Sequence, residues 1–250
     1  MYMENYAAVL PAMIYLFPNK KFRTVITCEH GGNKVPFHLK GLFNGREQLL
    51  ASHRGYDEGS LSIARSLSRS LDAHFIYSDI TRLLIDLNRS PHHPKLFSEI
   101  TKKLDSKSKK SIRDRYYVPY RRDVELFISR SITRGFPVLH ISVHSFTPFV
   151  NSIPRNADIG LLYDPSRHRE QALCLQWQQS LRKADPSIRV RRNYPYLGKT
   201  DGLVTFFRKK FSPDLYAGIE LEMNQSRTGE HKKDAQILCN TLTSCMKPQP

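Results

Sequence analysis

The sequence predicts an α/β domain: a three-layer α/β/α arrangement with helices on both faces of a mixed, largely parallel central sheet. Three observations carry this. Runs rich in β-branched and aromatic residues alternate along the chain with segments whose apolar residues recur at helical spacing. No repeat, low-complexity tract or linker divides the alternation, so residues 1–250 read as a single domain. A chain of 250 residues with 40% hydrophobic content is long enough to bury a substantial core.

The elements follow in order. Residues 7–17, "AAVLPAMIYLF", have no basic segment in front, carry Glu4 there instead, and show no small-residue cleavage site. They read as part of an ordered N-terminal extension over residues 1–21 of a cytoplasmic protein. No apolar stretch approaches the roughly 18 residues of a membrane span. Arg23-Thr24-Val25-Ile26-Thr27 has the β-branched content of a strand. The turn "CEHGG" follows it, and Pro36 stops regular structure soon after. Either Gly31 and Gly32 merely make this turn, or they let a ligand approach closely while His30 holds it. "GSLSIARSLSRSL" (59–71) places Leu61, Ala64, Leu67 and Leu71 at helical spacing. "HFIYS" and "RLLIDL" read as strands within 74–87. Residues 121–134 carry Val124, Phe127, Ile128 and Ile132 on one helical stripe, ended by Gly135 before Pro137. Strands are expected over 138–145, 159–164, 188–193 and 216–224, and helices over 167–184 and about 232–245. In such sheets ligands gather at the carboxyl ends of strands.

Charge and cysteine content narrow the class. The formal net charge is +16. It fits a surface that steers small anions to a positive cleft, a nucleic-acid surface, or a basic surface without function. The densest run, "KKLDSKSKKSIRDR" (102–115), reads as a solvated helix or loop. Without a zinc-finger, helix-turn-helix or RNP-type signature, nucleic-acid binding ranks last. Cys28, Cys174, Cys239 and Cys245 lack paired CxxC spacing, which predicts reduced, mostly buried thiols.

Polar residues stand where the apolar strands do not need them. His30 falls just past the first strand, His144 and Glu222 near the ends of two others, and "DLNR" (86–89) directly follows "LLI". Two histidines and a carboxylate are a catalytic zinc's usual ligands, with one position left open. The carboxylate is Asp57 or Glu58 in "HRGYDEGSL"; the other acid favours a helix start. His140 shares the pleat face of His144 and reads as a hydrogen-bonded core residue, while His92 and His93 read as solvated. Glu220 and Glu222 share one face of an apolar strand. One near a metal-bound water would serve as general base; the alternative is that one pairs structurally with an arginine, and with two glutamates both can hold. Asn88 and Arg89 suit a substrate carboxylate; an Asp86–Arg89 surface bridge with Asn88 in a turn accounts for them equally.

In this order, "CEHGGNKVP", "HRGYDEGSL", "SDITRLLIDLNRS", "YYVPYRRDV", "HISVHSFTP", "ADIGLLYDP", "RRNYPYLGKTDGL" and "YAGIELEMNQ" resemble the N-formylglutamate amidohydrolase family over about residues 22–226. The resemblance implies a three-layer zinc carboxypeptidase-like (phosphorylase/hydrolase-like) fold related to aspartoacylases. It also implies zinc-dependent hydrolysis of the amide of a small anionic N-acyl amino acid, with one Zn²⁺ per chain. By motif, His30, Asp57 and His144 would hold zinc, and Glu222 would be base and then proton donor. Arg82 would polarise the scissile carbonyl. Asn88 and Arg89, with Ser145, Tyr196 and Arg121, would contact substrate. The chain departs from the family pattern at Arg121, which stands where a histidine follows the "PY", and at Gly198-Lys199, which replaces a glycine pair.

These readings together predict an amidohydrolase that releases formate from an N-formyl acidic amino acid such as N-formylglutamate. A deacylase of aspartoacylase or carboxypeptidase type, acting on another acyl group, is the same-class alternative. A non-catalytic or nucleic-acid-binding protein on the same fold is the alternative from a different class.

Overall fold

The computed structural model describes residues 16, 17 and 20–246, the side chains of 228–231 excepted. The expected N-terminal extension therefore lies mostly outside the described residues. In chain order the strands are β1 (Arg23–Cys28), β2 (His74–Tyr77), β3 (Val138–Phe146), β4 (Phe149–Val150), β5 (Ile153–Pro154), β6 (Ile159–Leu162), β7 (Val190–Arg192) and β8 (Tyr216–Asn224). The α-helices are α1 (Glu47–Ala51), α2 (Ser60–Ser70), α3 (Ser106–Ile112), α4 (Val118–Thr133), α5 (His168–Ala184), α6 (Leu203–Lys210) and α7 (His231–Met246).

Six strands form one sheet in the order β2-β1-β3-β8-β6-β7, and β4 and β5 form a separate hairpin. Strands β2, β1, β3 and β8 run parallel, β6 runs antiparallel to β8, and β7 is parallel to β6. The sheet is thus mixed and mostly parallel, as expected. From β1 the chain moves outward to β2 and then returns to β3 on the other side of β1. The strand order reverses there, and open α/β sheets leave a crevice for ligands at such a point.

Alternation along the central strands sends Ile26, Cys28, Ile141, Val143, Ile219 and Leu221 to one face, where they pack with Ile63 and Leu67 of α2, Trp177 of α5 and Leu238 of α7. Val25, Val138 and Tyr216 face the other side, against Val124 and Ile128 of α4 and Leu203 and Phe207 of α6. A buried ion pair joins the layers near β8. Arg208 Nε donates to both Glu170 oxygens at 3.1 and 3.0 Å, and Glu170 Oε1 accepts the Gly218 N–H at 2.8 Å. The four cysteines are free.

The strand expected over "RLLIDL" is absent. After β2 the backbone is irregular through residue 87, and its N–H groups bond both locally and to the segments around residues 28–34 and 55. Leu84 N–H donates to Thr81 O at 3.0 Å and Asp86 N–H to Leu96 O at 2.9 Å. Leu83, Leu84, Ile85 and Leu87 still fill the core. An apolar run reports burial, and here burial came without extension. In the basic run, Ser106–Ile112 forms α3, a π turn (Arg113–Tyr117) leads into α4, and most of the charged side chains are exposed. Among the described residues no helix is long and apolar enough to cross a membrane.

His140 is the core residue the sequence suggests. Its Nε2 lies 2.8 Å from Thr27 Oγ1 and its Nδ1 2.7 Å from Tyr216 Oη, in full burial. Burial pushes its imidazole down from 6.5 to about 4, and the charges of Arg208 and His144 act in the same direction. The unfolded chain therefore takes up this proton first as pH falls. The contribution is complete above 6.5 and is lost as pH falls toward 4, about 2 kcal/mol of it by pH 5. In His140→Gln, urea midpoints at pH 7 and pH 5 will differ less than in wild type; equal differences would contradict this. A second prediction concerns Gly160, paired with Glu222 across β6 and β8. A Cβ there would lie 2.1 Å from the Tyr194 carbonyl oxygen and 3.2 Å from Glu222 Cβ, whereas one at Gly41 meets nothing within 4 Å. Gly160→Ala will lower unfolding free energy by about 1–3 kcal/mol in urea titrations and Gly41→Ala will not; similar midpoints would refute the close approach.

Candidate metal centre

The carboxyl ends of β1, β3 and β8 carry the site. Glu29 and His30 follow β1 directly, His144 lies within β3, and the parallel register sets Ser142 beside Glu220 and His144 beside Glu222. Asp57 is brought in by the loop before α2. Its N–H donates to His30 O at 2.9 Å, and its carbonyl accepts the Ser60 hydroxyl at 2.7 Å. Gly31 and Gly32 are needed here for close backbone packing. A Cβ on Gly32 would fall 2.6 Å from Asp79 O and one on Gly31 2.9 Å from Ser78 O, so the bare backbone lets the segment after β1 lie against residues 78–79.

His30, Asp57 and His144 converge in full burial, and one ligand atom from each lies within 4.8 Å of the others. Asp57 Oδ2 is 2.9 Å from His144 Nδ1 and 3.3 Å from His30 Nδ1. Each ring turns its other nitrogen to a second carboxylate. His30 Nε2 donates to Asp86 Oδ1 at 2.7 Å, and His144 Nε2 is 3.1 Å from Glu29 Oε2. Metal-ligating histidines characteristically have such outer partners. Of the two candidate acids, Asp57 is the one in the cluster, whereas Glu58 is exposed.

The electrostatics follow from packing many acids in a small buried volume. Arg82 donates to Asp57 Oδ1 at 3.1 Å and to Asp86 Oδ2 at 2.8 Å, with its side chain 27% exposed. Burial alone would raise the Asp57 carboxyl, but the His30 and His144 rings and Arg82 hold it well below the usual carboxylate range. Asp86 is held low against burial by Arg82 and His30. Burial likewise opposes the charge on His144, and the Asp57 and Glu29 carboxylates overcome it, raising the imidazole well above its ordinary value. Glu222 has no such cation in contact. Burial, with Asp57 and Glu220 adding to it, pushes it up to about 8 although His144 and Arg82 pull the other way. Its Oε2 is buried without a hydrogen-bond partner. Glu220 is also raised, first by burial. Neither glutamate makes an ion pair among the described residues, so the expected Glu–Arg pairing is not found.

This composition suits a divalent cation. Glu29, Asp57, Asp86, Glu220 and Glu222 bring five buried carboxyl groups to one end of the sheet, and burial raises two of them, Glu220 and Glu222. The two Nδ1 atoms and the Asp57 carboxylate provide the N, N, O donor set of a hydrolytic metal site.

The remaining predicted residues fall in different places. Asn88 is beside the cluster, with Nδ2 3.5 Å from His144 Nε2 and Oδ1 accepting the Leu203 N–H at 2.7 Å. Arg89 Nε is 4.0 Å from Asp86 Oδ2, and its Nη1 donates to Asp201 O at 3.4 Å. Asp86 is buried and occupied by His30 and Arg82, so a surface bridge is not its role. Ser145 reaches the cluster through its backbone, whose N–H is 3.5 Å from Asp57 Oδ2. Arg121 lies behind the Asn88–Arg89 segment. Its guanidinium sits over the Tyr117 and Phe206 rings at 5.1 and 4.7 Å, and Nη1 donates to Leu87 O and Arg89 O at 3.2 and 3.3 Å. Tyr196 is 45% exposed and stacks under Arg155, with no hydrogen bond to the cluster. Glu29, Ser142 and Tyr120 belong to the site and were not anticipated.

Residues 22–227 match the N-formylglutamate amidohydrolase family. Among solved structures, the chain is similar to a gene product from Agrobacterium tumefaciens, 26% identical over 91% of this chain and 91% of that one, with a TM-score of 0.76. It also shares the fold of an N-formylglutamate amidohydrolase from Ralstonia eutropha, 18% identical over 92% of this chain and 93% of that one, with a TM-score of 0.63. No match is found among curated protein sequences. The family match takes in every residue of the buried cluster, from His30 at the end of β1 to Glu222 in β8, and the chain belongs to the N-formylglutamate amidohydrolase family.

Proposed function

We propose that the protein is a zinc-dependent amidohydrolase that cleaves the N-formyl amide of a small acidic amino acid such as N-formylglutamate, releasing formate and the amino acid. One observation carries the reading: a buried His30–Asp57–His144 donor set beside Glu222, whose Oε2 has no partner. A polar atom left unpaired in full burial is costly unless it serves a bound species. Family membership supports the reaction class.

The roles follow from the chemistry of each group. Zinc bound by His30, Asp57 and His144 would supply Lewis-acid activation of water and of the amide carbonyl. Glu222 takes the proton of the attacking water and returns it to the leaving amine nitrogen as the C–N bond breaks. A carboxyl raised to about 8 by burial suits the second half of that cycle, when it must hold and then give up a proton. A dication held by His30, Asp57 and His144 would favour its ionised form for the first half. Arg82 spends two N–H groups on Asp57 and Asp86. The others remain to stabilise the negative charge that develops on the carbonyl oxygen. Asn88 and Arg89 hold the substrate carboxylate and keep the scissile bond in place for attack.

Two variants test these roles. Glu222→Gln will bind Zn²⁺ stoichiometrically and lose roughly 10²- to 10⁴-fold in kcat on N-formylglutamate; wild-type turnover by the metal-loaded variant would remove Glu222 as the base. Arg89→Ala will raise KM for N-formyl acidic amino acids roughly ten- to hundredfold and leave neutral N-formyl amides little changed. Equal losses on both substrate classes would contradict the carboxylate role.

A further inference from the structure

We propose that Glu29 is a positioning residue of the metal centre, which fixes His144 in the tautomer and orientation that present its Nδ1 to a metal ion. The inference rests on the metal-centre reading above and concerns a residue that makes no contact with substrate.

The hydrogen bonds around Glu29 leave one arrangement. The carboxylate is fully buried. The Tyr120 hydroxyl donates to its Oε1 at 2.9 Å, and the Ser142 hydroxyl donates to its Oε2 at 2.6 Å. Having given its proton to Glu29, Ser142 Oγ turns lone pairs toward His144 Nε2, 2.9 Å away. His144 Nε2 therefore has two acceptors at close range, Glu29 Oε2 at 3.1 Å and Ser142 Oγ at 2.9 Å, against a single longer contact with the Asn88 amide nitrogen at 3.5 Å, and the two short contacts place a hydrogen on it. When the ring takes a metal in place of its second proton, the lone pair that coordinates is that of Nδ1, the atom directed at Asp57. Because Glu29 and His30 are adjacent, one dipeptide at the end of β1 supplies a ligand and also the support of the other imidazole ligand. Tyr120 extends that support to α4 on the sheet's outer layer.

An amide at this position reverses the pattern. In Glu29→Gln the two hydroxyls compete for one carbonyl oxygen, and the NH₂ group donates toward Nε2, favouring the Nδ1–H tautomer that cannot coordinate. Metal-free wild type, Glu29→Gln and Tyr120→Phe are titrated with Zn²⁺ against a competing chelator, and their Co²⁺ forms are compared by visible absorption. Glu29→Gln is expected to bind Zn²⁺ roughly 10- to 100-fold more weakly with a shifted Co²⁺ spectrum. Tyr120→Phe, which keeps the carboxylate, is expected to stay within about threefold of wild type. An unchanged affinity and spectrum in Glu29→Gln, or an equal loss in Tyr120→Phe, overturns the proposal while leaving the metal centre standing. Should Glu29→Gln not fold, ¹⁵N shifts of His144 in the zinc-loaded wild type decide: metal on Nδ1 with a proton on Nε2 supports it, and metal on Nε2 overturns it. A wild-type chain that takes up no Zn²⁺ sinks the metal-centre reading, and this inference with it.

Discussion

A single atom, Asp57 Oδ2, fixes the geometry of the site. Both imidazoles point at it, from 2.9 and 3.3 Å, although they arrive on different strands. The carboxylate stays ionised in full burial because the two imidazoles and the Arg82 guanidinium surround it. Such a network tolerates the removal of no member easily, since an unpaired buried charge is far costlier than the pair it came from. Glu222 is the exception. It lies on the same sheet face without a counter-ion in contact, and its raised pKa is the price of that position.

The sheet topology explains why these groups meet. The order reverses between β1 and β3, so the loop following β1 and the end of β3 meet at one end of the sheet. The parallel register then continues the same level into β8, where Glu222 stands beside His144. Asp57 and Asp86 come from irregular segments, tied down by backbone hydrogen bonds to His30 and Leu96. Regular strands supply the rigid half of the site, and loops held by the strands supply the rest.

Much of this was legible in the chain. Apolar strands that end on His30, His144 and Glu222 announce groups the fold does not require, and alternation correctly set Glu220 and Glu222 on one face. Glu29 was overlooked because it stands among turn residues. Strand parity carried a signal, however: Val25, Thr27 and Glu29 alternate onto the face that holds His140 and His144. "RLLIDL" misled for the opposite reason, since its leucines are buried but its backbone pairs with Thr81 and Leu96 in place of a ladder. Spacing offers Asp86 only near neighbours such as Arg89, whereas one of its partners, His30, lies 56 positions away.

Arg121 has a consequence of a different kind. Wedged between Tyr117 and Phe206, it props the carbonyls of Leu87 and Arg89 from the interior. In the role proposed for Arg89, its grip on an anionic ligand would be set from two sides, by the guanidinium itself and by the buried Arg121 side chain behind it. Descendants of this chain could retune their selectivity by exchanging that hidden strut, with every ligand-facing side chain left as it is.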